Sequence, residues 1–100
     1  MENLHHIALT VTDIGDAVAW YTQRFDVEVA HQDQSWAMLR FDNVDMALVL
    51  PEQHPAHIAV VSDNAAQYGA LNLHRDGTAS TYTQDPWGNI IEVMQTAAPS

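Results

Sequence analysis

The chain has no cysteine and no lysine, and apart from histidine its only basic side chains are Arg24, Arg40 and Arg75. Without cysteine there is no disulfide framework and no thiolate to act as nucleophile or ligand. Thirteen acids against three arginines give a formal charge of −10. Such a surface repels phosphate backbones and anionic membranes, which excludes nucleic acid as a partner. No apolar run approaches membrane-spanning length, and Met1-Glu2-Asn3 lacks the basic start and apolar stretch of a secretory signal. No membrane partner and a cytoplasmic location are the expectations.

What is present is a globular composition, 47% hydrophobic in 100 residues, enough for a single small domain over 1–100. Near the C-terminus, Asp85-Pro86-Trp87-Gly88 has the side chains a tight type I turn prefers, and the β-branched run Asn89-Ile90-Ile91-Glu92-Val93 enters a strand at once. Alternation places Glu92 on one face with Ile90 and Met94. A carboxylate in that apolar setting needs a cation.

Read from the start, Leu4 to Val11 is a strand with His5, Ile7, Leu9 and Val11 on one face and His6, Ala8 and Thr10 on the other. The bulky face predicts packing on a helix, and the small, polar face with His6 predicts something open. Thr12 and Asp13 offer a helix cap, and Ile14, Ala17, Val18, Tyr21 and Phe25 form one apolar stripe. Trp20, Tyr21 and Phe25 are expected in the core, and Asp26, in left-handed geometry, is expected to end the helix. Strands are predicted over 27–31, 35–41 and 44–50, and Pro51 to Pro55 reads as a linker.

Beyond the linker, His57-Ile58-Ala59-Val60-Val61-Ser62-Asp63 echoes His6-Ile7-Ala8-Leu9-Thr10-Val11-Thr12-Asp13, one residue shorter. A second, shorter helix through Ala65, Ala66 and Tyr68, capped by Ser62 or Asp63, is predicted to end near Gly69. Strands over 70–73, 78–84 and from Ile90 follow, with a hairpin turn at Arg75-Asp76-Gly77. Each half is β-α-β-β-β, so the chain reads as a duplication, with modules at about 1–50 and 56–97. His6 and His57 hold the same place in each copy, on the face of small residues. Paired copies would bring both to a shared cavity that Glu92 also reaches. Two imidazoles and one carboxylate leave coordination positions free for water or substrate, which suits catalysis. The alternative for the same residues is two satisfied core histidines and a glutamate paired with arginine or water.

The first strand His-Ile-Ala-Leu-Thr-Val-Thr-Asp, the helix segment Ala19-Trp20-Tyr21, the mid-chain His57-Ile58-Ala59 and the closing Asp85-Pro86-Trp87-Gly88-Asn89-Ile90-Ile91-Glu92 resemble the vicinal oxygen chelate superfamily of glyoxalases, bleomycin resistance proteins and extradiol dioxygenases. The resemblance implies an α+β fold: two βαβββ modules forming a curled, U-shaped mixed sheet with helices on the outer face. It implies metal ligands at His6, His57 and Glu92. A fourth ligand, common on the last strand of the first module, meets Met46, Ala47 or Leu48 in the expected registers, none of which can serve, and Asp45 would need a shifted one. Tyr82, ten residues before Glu92, matches an active-site tyrosine of the dioxygenases and is a candidate catalytic donor beside Glu92. A wall-filling aromatic is the other reading of Tyr82. His74 and Arg75 could meet an anionic substrate, although an exposed turn is the reading preferred. Trp87 and Asp26 depart from the family's pattern, and few residues are spare for a lid.

The function implied is a metal-dependent enzyme of the glyoxalase/dioxygenase type, acting on a small oxygen-rich substrate chelated by a divalent ion. Isomerase, lyase, transferase and dioxygenase chemistry all remain open. Fe(II) suits the donor set, with Zn, Mn, Ni and Co as other candidates. The alternative is a metal-free binding protein that sequesters a small molecule, as the bleomycin-binding relatives do. A homodimer with sites at or near the interface is expected, with swapped and within-chain module pairing both open.

Overall fold

A computed structural model describes residues 1–74 and 77–96 of the chain. The elements are β1 (Asn3–Thr10), α1 (Ile14–Arg24), β2 (Glu28–Gln32), β3 (Trp36–Arg40), β4 (Asp45–Val49), β5 (His57–Val61), a 3₁₀ turn (Ala65–Tyr68), β6 (Asn72–Leu73), β7 (Ala79–Gln84) and β8 (Ile90–Gln95). Strand ends fall within two residues of the expected ones. The hydrogen-bonded order is β2-β3-β4-β1-β5-β8-β7-β6, a mixed sheet with one α-helix among the described residues, so the fold is α+β as expected. No helix among the described residues is long and apolar enough to cross a membrane.

By contacts the chain divides into two units, 6–56 in one and 1–5 with 57–100 in the other, so β1 is shared between them. In the first unit β1 runs parallel to β4, pairing His6 with Asp45 and Ala8 with Ala47, and β3 lies antiparallel on β4's other side. Alternation then sorts the side chains. Ile14 and Val18 of α1 pack with Ala37, Leu39, Met46 and Leu48, and Leu9, Val11 and Tyr21 close around them. On the opposite face Ala8, Ala47 and Val49 are buried together beneath Trp36 and Met38. His6 belongs to this second face, as its spacing requires.

Helix α1 starts where the sequence signals it: the Asp13 carboxylate accepts from the Asp16 N–H at 2.8 Å. Its far end corrects two expectations. The helix stops at Arg24, the Phe25 cap is already extended, and no non-glycine residue among those described has positive φ, so Asp26 supplies no left-handed stop. Trp20 and Phe25 are 47% and 49% exposed rather than core. Phe25 has left the helical stripe with its extended backbone. Trp20 instead packs edge-on to Tyr21 at 4.9 Å and carries the Arg24 guanidinium 4.3 Å above its ring.

In the second unit β5 runs parallel to β8, with β7 antiparallel on β8's other side and β6 at the end. The expected second helix is a single 3₁₀ turn over Ala65–Tyr68 without a side-chain cap bond. Four residues do not repay the cost of starting an α-helix. Gly69 then takes φ 155, and a Cβ there would lie 2.7 Å from Thr81 Oγ1, which fixes glycine at the exit. Arg75 and Asp76 of the expected hairpin turn lie outside the described residues.

Candidate metal centre

The turn before β8 is clamped by one side chain. Asp85 Oδ1 accepts from the N–H groups of Trp87 and Asn89, both at 2.9 Å, and Oδ2 accepts from the Asn89 amide at 2.8 Å. Those bonds, the Asn89 side chain first, hold the Asp85 carboxyl below its ordinary value. Gly88 closes the turn at φ 91. The register of β8 is thereby set at its first residue, and Glu92 falls opposite Ala59 on one side and Tyr82 on the other. One face of the second unit therefore carries His57 and Ala59, then Ile90, Glu92 and Met94, then Ser80 and Tyr82.

On that face His57 and Glu92 are 8% and 6% exposed, and His57 Nε2 lies 3.4 Å from Glu92 Oε1. The Tyr82 ring stands edge-on to His57, centroids 5.6 Å apart. Burial first, and the Glu92 charge second, push the Tyr82 phenol above its ordinary 10.0. Tyr82 is 45% exposed. One ligand atom from each of His6, His57 and Glu92 lies within 4.8 Å of the other two.

The donors fit a divalent ion. Two ligand atoms each about 2.1 Å from one ion are roughly 3.0 to 3.4 Å apart at octahedral or tetrahedral angles, and His57 and Glu92 stand at 3.4 Å. Two imidazoles and one buried carboxylate are nitrogen and oxygen ligands of borderline softness, suited to Fe(II), Zn(II) and their neighbours.

The register answers the question of a fourth ligand. Ala59 pairs with Glu92 two residues after His57, and Ala8 pairs with Ala47 two residues after His6. Ala47 therefore holds the place in the first unit that Glu92 holds in the second, and it has no donor. Asp45 is opposite His6, but its Oδ1 lies 3.5 Å from Arg40 Nε.

His74 is exposed at a turn, as preferred, its carbonyl accepting from the Gly77 N–H at 3.1 Å. Sequence reasoning missed Ser80, whose hydroxyl lies 2.8 Å from His74 Nε2, itself 3.9 Å from Glu92 Oε2. Only the β6–β7 register, which sets Asn72 against Ser80, could have brought the two together. Arg75, its expected companion, lies outside the described residues. In the first unit Trp36 is half-buried and stacks on His31 at 4.2 Å, with His31 Nε2 2.9 Å from Asp33 Oδ2. His54 is exposed.

A family model described as Glyoxalase/Bleomycin resistance protein/Dioxygenase superfamily matches residues 3–71. No curated protein sequence matches significantly. Among solved structures, a variant of Streptomyces coelicolor methylmalonyl-CoA epimerase in complex with 2-nitronate-propionyl-CoA superposes with a TM-score of 0.73 at 18% identity, covering 96% of this chain and 95% of that one. A glyoxalase/bleomycin resistance protein/dioxygenase superfamily member from Vibrio splendidus gives 0.71 at 17% identity, covering 95% and 99%. Methylmalonyl-CoA epimerase from Mycobacterium tuberculosis gives 0.70 at 17% identity, covering 97% and 89%. At these identities the likeness is one of fold.

Proposed function

This chain belongs to the Glyoxalase/Bleomycin resistance protein/Dioxygenase superfamily, and we propose that within it the protein is a metal-dependent enzyme acting on a small oxygen-rich substrate. The observation that carries this reading is the approach of ligand atoms of His6, His57 and Glu92 to within 4.8 Å. The histidines supply neutral nitrogen and Glu92 supplies the charge that offsets a divalent cation. A divalent ion held there would act as a Lewis acid on two neighbouring substrate oxygens. The chain's own contribution is to desolvate and orient. Burial of His57 and Glu92 fixes them without freedom to reorganise, and the half-exposed Tyr82, its phenol raised by burial and the Glu92 charge, offers a hydrogen bond from the open side.

Isomerase, lyase, transferase and dioxygenase chemistry all use such a donor set, and Fe(II) heads the candidate metals because two histidines and one carboxylate leave positions open. Coenzyme A esters, seen with the Streptomyces epimerase, are a poor match for this chain. It has a formal charge of −10, Arg24 is bonded to the Trp20 carbonyl and Arg40 lies between Glu28 and Asp45. Among the described residues, little cationic surface is left for a nucleotide phosphate. A smaller substrate suits that surface better. The protein is cytoplasmic in this reading and works as a homodimer, since β2 and β6 end the hydrogen-bonded order as strand edges that a second chain would cover.

The test is metal content. Protein purified without chelator or His tag is expected to carry a stoichiometric divalent metal, and His57→Ala to lose it. Equal metal in both, or none in the wild type, would overturn the reading.

A further inference from the structure

Along the face of the first unit that carries His6, charge gives way to apolar side chains within one cross-strand row. His6 stands opposite Asp45, and Asp45 opposite Arg40. The Arg40 guanidinium is 3.5 Å from Asp45 Oδ1 and 3.4 Å from Glu28 Oε1, so these three charges are paired with one another. The next row is Ala8, Ala47 and Met38, and the one after it Thr10, Val49 and Trp36. A strand advances about 3.3 Å per residue, which puts the apolar step roughly 7 Å beyond His6. Ala8, Ala47 and Val49 are buried, with Trp36 and Met38 packed against them. One carboxylate holds Trp36 in place. Asp33 Oδ1 accepts from the Trp36 N–H at 3.0 Å and from the Ser35 N–H and hydroxyl, both at 2.7 Å. Asp33 Oδ2 lies 2.9 Å from His31 Nε2, and the His31 ring stacks on the indole at 4.2 Å with the planes 23° apart.

Resting on the metal reading above, we propose that Trp36 is a specificity-determining residue that walls the first unit's side of the site, and that the substrate accordingly carries its two neighbouring oxygens on a compact apolar body. Where the second unit has Glu92 the first has Ala47. Beyond His6, therefore, an ion would meet no carboxylate but a floor of alanine and valine against an indole. A polar substituent turned that way loses its water without gaining a partner. A bulky one meets a ring that yields only by breaking the His31 stack and the Asp33 bonds, the cost of overpacking a fixed wall. A small apolar group satisfies both conditions, which is the usual division of a pocket into apolar lining and a few polar anchors. His31 acts through the ring and is a positioning residue: tied to the carboxylate that also holds the Trp36 backbone, it keeps the indole over the alanines.

The test uses full-length protein loaded with Co(II) under anaerobic conditions and two chelating probes, catechol and 3,6-dimethylcatechol. The dimethyl compound carries a methyl group on each side, so one faces the wall in either orientation. Binding is followed by the visible absorption of the ion, and the ratio of the two affinities is the readout, because it cancels any general change in metal or oxygen binding. Wild type is expected to bind 3,6-dimethylcatechol about tenfold more weakly than catechol, the scale of one misplaced methyl group in a pocket. Trp36→Ala should bring the ratio close to one, and Trp36→Phe should fall between. His31→Ala should lower the ratio by less than Trp36→Ala, and His31→Phe, which keeps a ring on the indole, should restore it. Thermal melting of the metal-free forms is the folding control, and if Trp36→Ala does not fold, Trp36→Phe decides alone. The same ratio in wild type and in a folded Trp36 variant overturns the proposal and leaves the metal site standing. So does a Co(II) form of the wild type that binds neither catechol. Equal changes in His31→Ala and His31→Phe overturn the part given to His31. No Co(II) binding by wild type removes the metal reading and this proposal together.

Discussion

Two sheet faces of the same register differ in what they carry. In the second unit the positions around the Ala59–Glu92 pair are Tyr82, Ser80 and Met94; in the first, around Ala8–Ala47, they are Met38, Trp36 and Val49. Glutamate, tyrosine and serine on one side stand against alanine, methionine and tryptophan on the other. Backbone pairing is the same at these places, so the difference lies in side chains alone. The helical layers differ in the opposite sense. The first unit has a capped α-helix of 11 residues over its core, and the second has a single 3₁₀ turn. The half with more packing holds only His6 of the proposed ligand set, and the half with less packing holds His57, Glu92, Tyr82, His74 and Ser80. Buried polar groups cost stability unless they are paired, so gathering them in one half leaves the other free to build the core.

The strongest way to break this comparison is to write the second unit's glutamate into the first. Ala47 is 5% exposed, and Ala47→Glu would bury a carboxylate beside His6. Without metal the variant is expected to lose roughly 3 kcal/mol of stability, the scale of an uncompensated buried charge. With Zn(II) or Co(II) it is expected to recover and to bind the ion more tightly than wild type. Denaturant unfolding with and without metal reads both. A destabilised variant that metal does not rescue would show that Ala47 is not the counterpart of Glu92.

A smaller effect separates the two helical segments. Asp13 caps α1 with a 2.8 Å bond to the Asp16 N–H, whereas Asn64, before the 3₁₀ turn, makes no side-chain cap bond. Asp13→Ala should cost about 1 kcal/mol, and Asn64→Ala should stay within about 0.5 kcal/mol. Similar losses in thermal or denaturant unfolding would mean that the second segment is held more like a helix than its bonds indicate.

Much of this was legible in the chain because period-two alternation and a 3.6-residue stripe are local. His6 opposite His5, Ala8 facing away from Leu9, and Glu92 between Ile90 and Met94 need only one strand each. Asp13 needed only the three residues after it. What was hidden depended on pairing between strands. The vacancy at Ala47 follows from registers that no single strand contains, and the meeting of His74 with Ser80 depends on how β6 is laid on β7. The second helix failed for a different reason. Ala65, Ala66 and Tyr68 fit a helical pattern, but Gly69 is forced by Thr81, a residue 12 positions on, and that contact leaves only four residues for the turn. Trp20 and Phe25 lie outside the core that their aromatic side chains suggest, because a cation sits above one ring and the backbone is extended at the other.

The smallest expected effect tests the electrostatics of the polar face directly. The Tyr82 phenol is raised above 10.0 by burial first and by the Glu92 charge second. A raised acid favours its neutral form in the folded protein, so this contribution to stability is fully present below about pH 10. It is lost as pH rises through the folded value. Absorbance titration of wild type against Tyr82→Phe isolates this phenol from Tyr21 and Tyr68. Glu92→Gln should lower its titration but leave it above 10.0, because burial is the larger cause and remains. A divalent ion bound beside Glu92 should lower it in the same direction by offsetting that charge. A Tyr82 titration that responds neither to Glu92→Gln nor to metal would mean that the phenol and the carboxylate do not share one electrostatic environment, and the polar face would lose its claim to act as a single site.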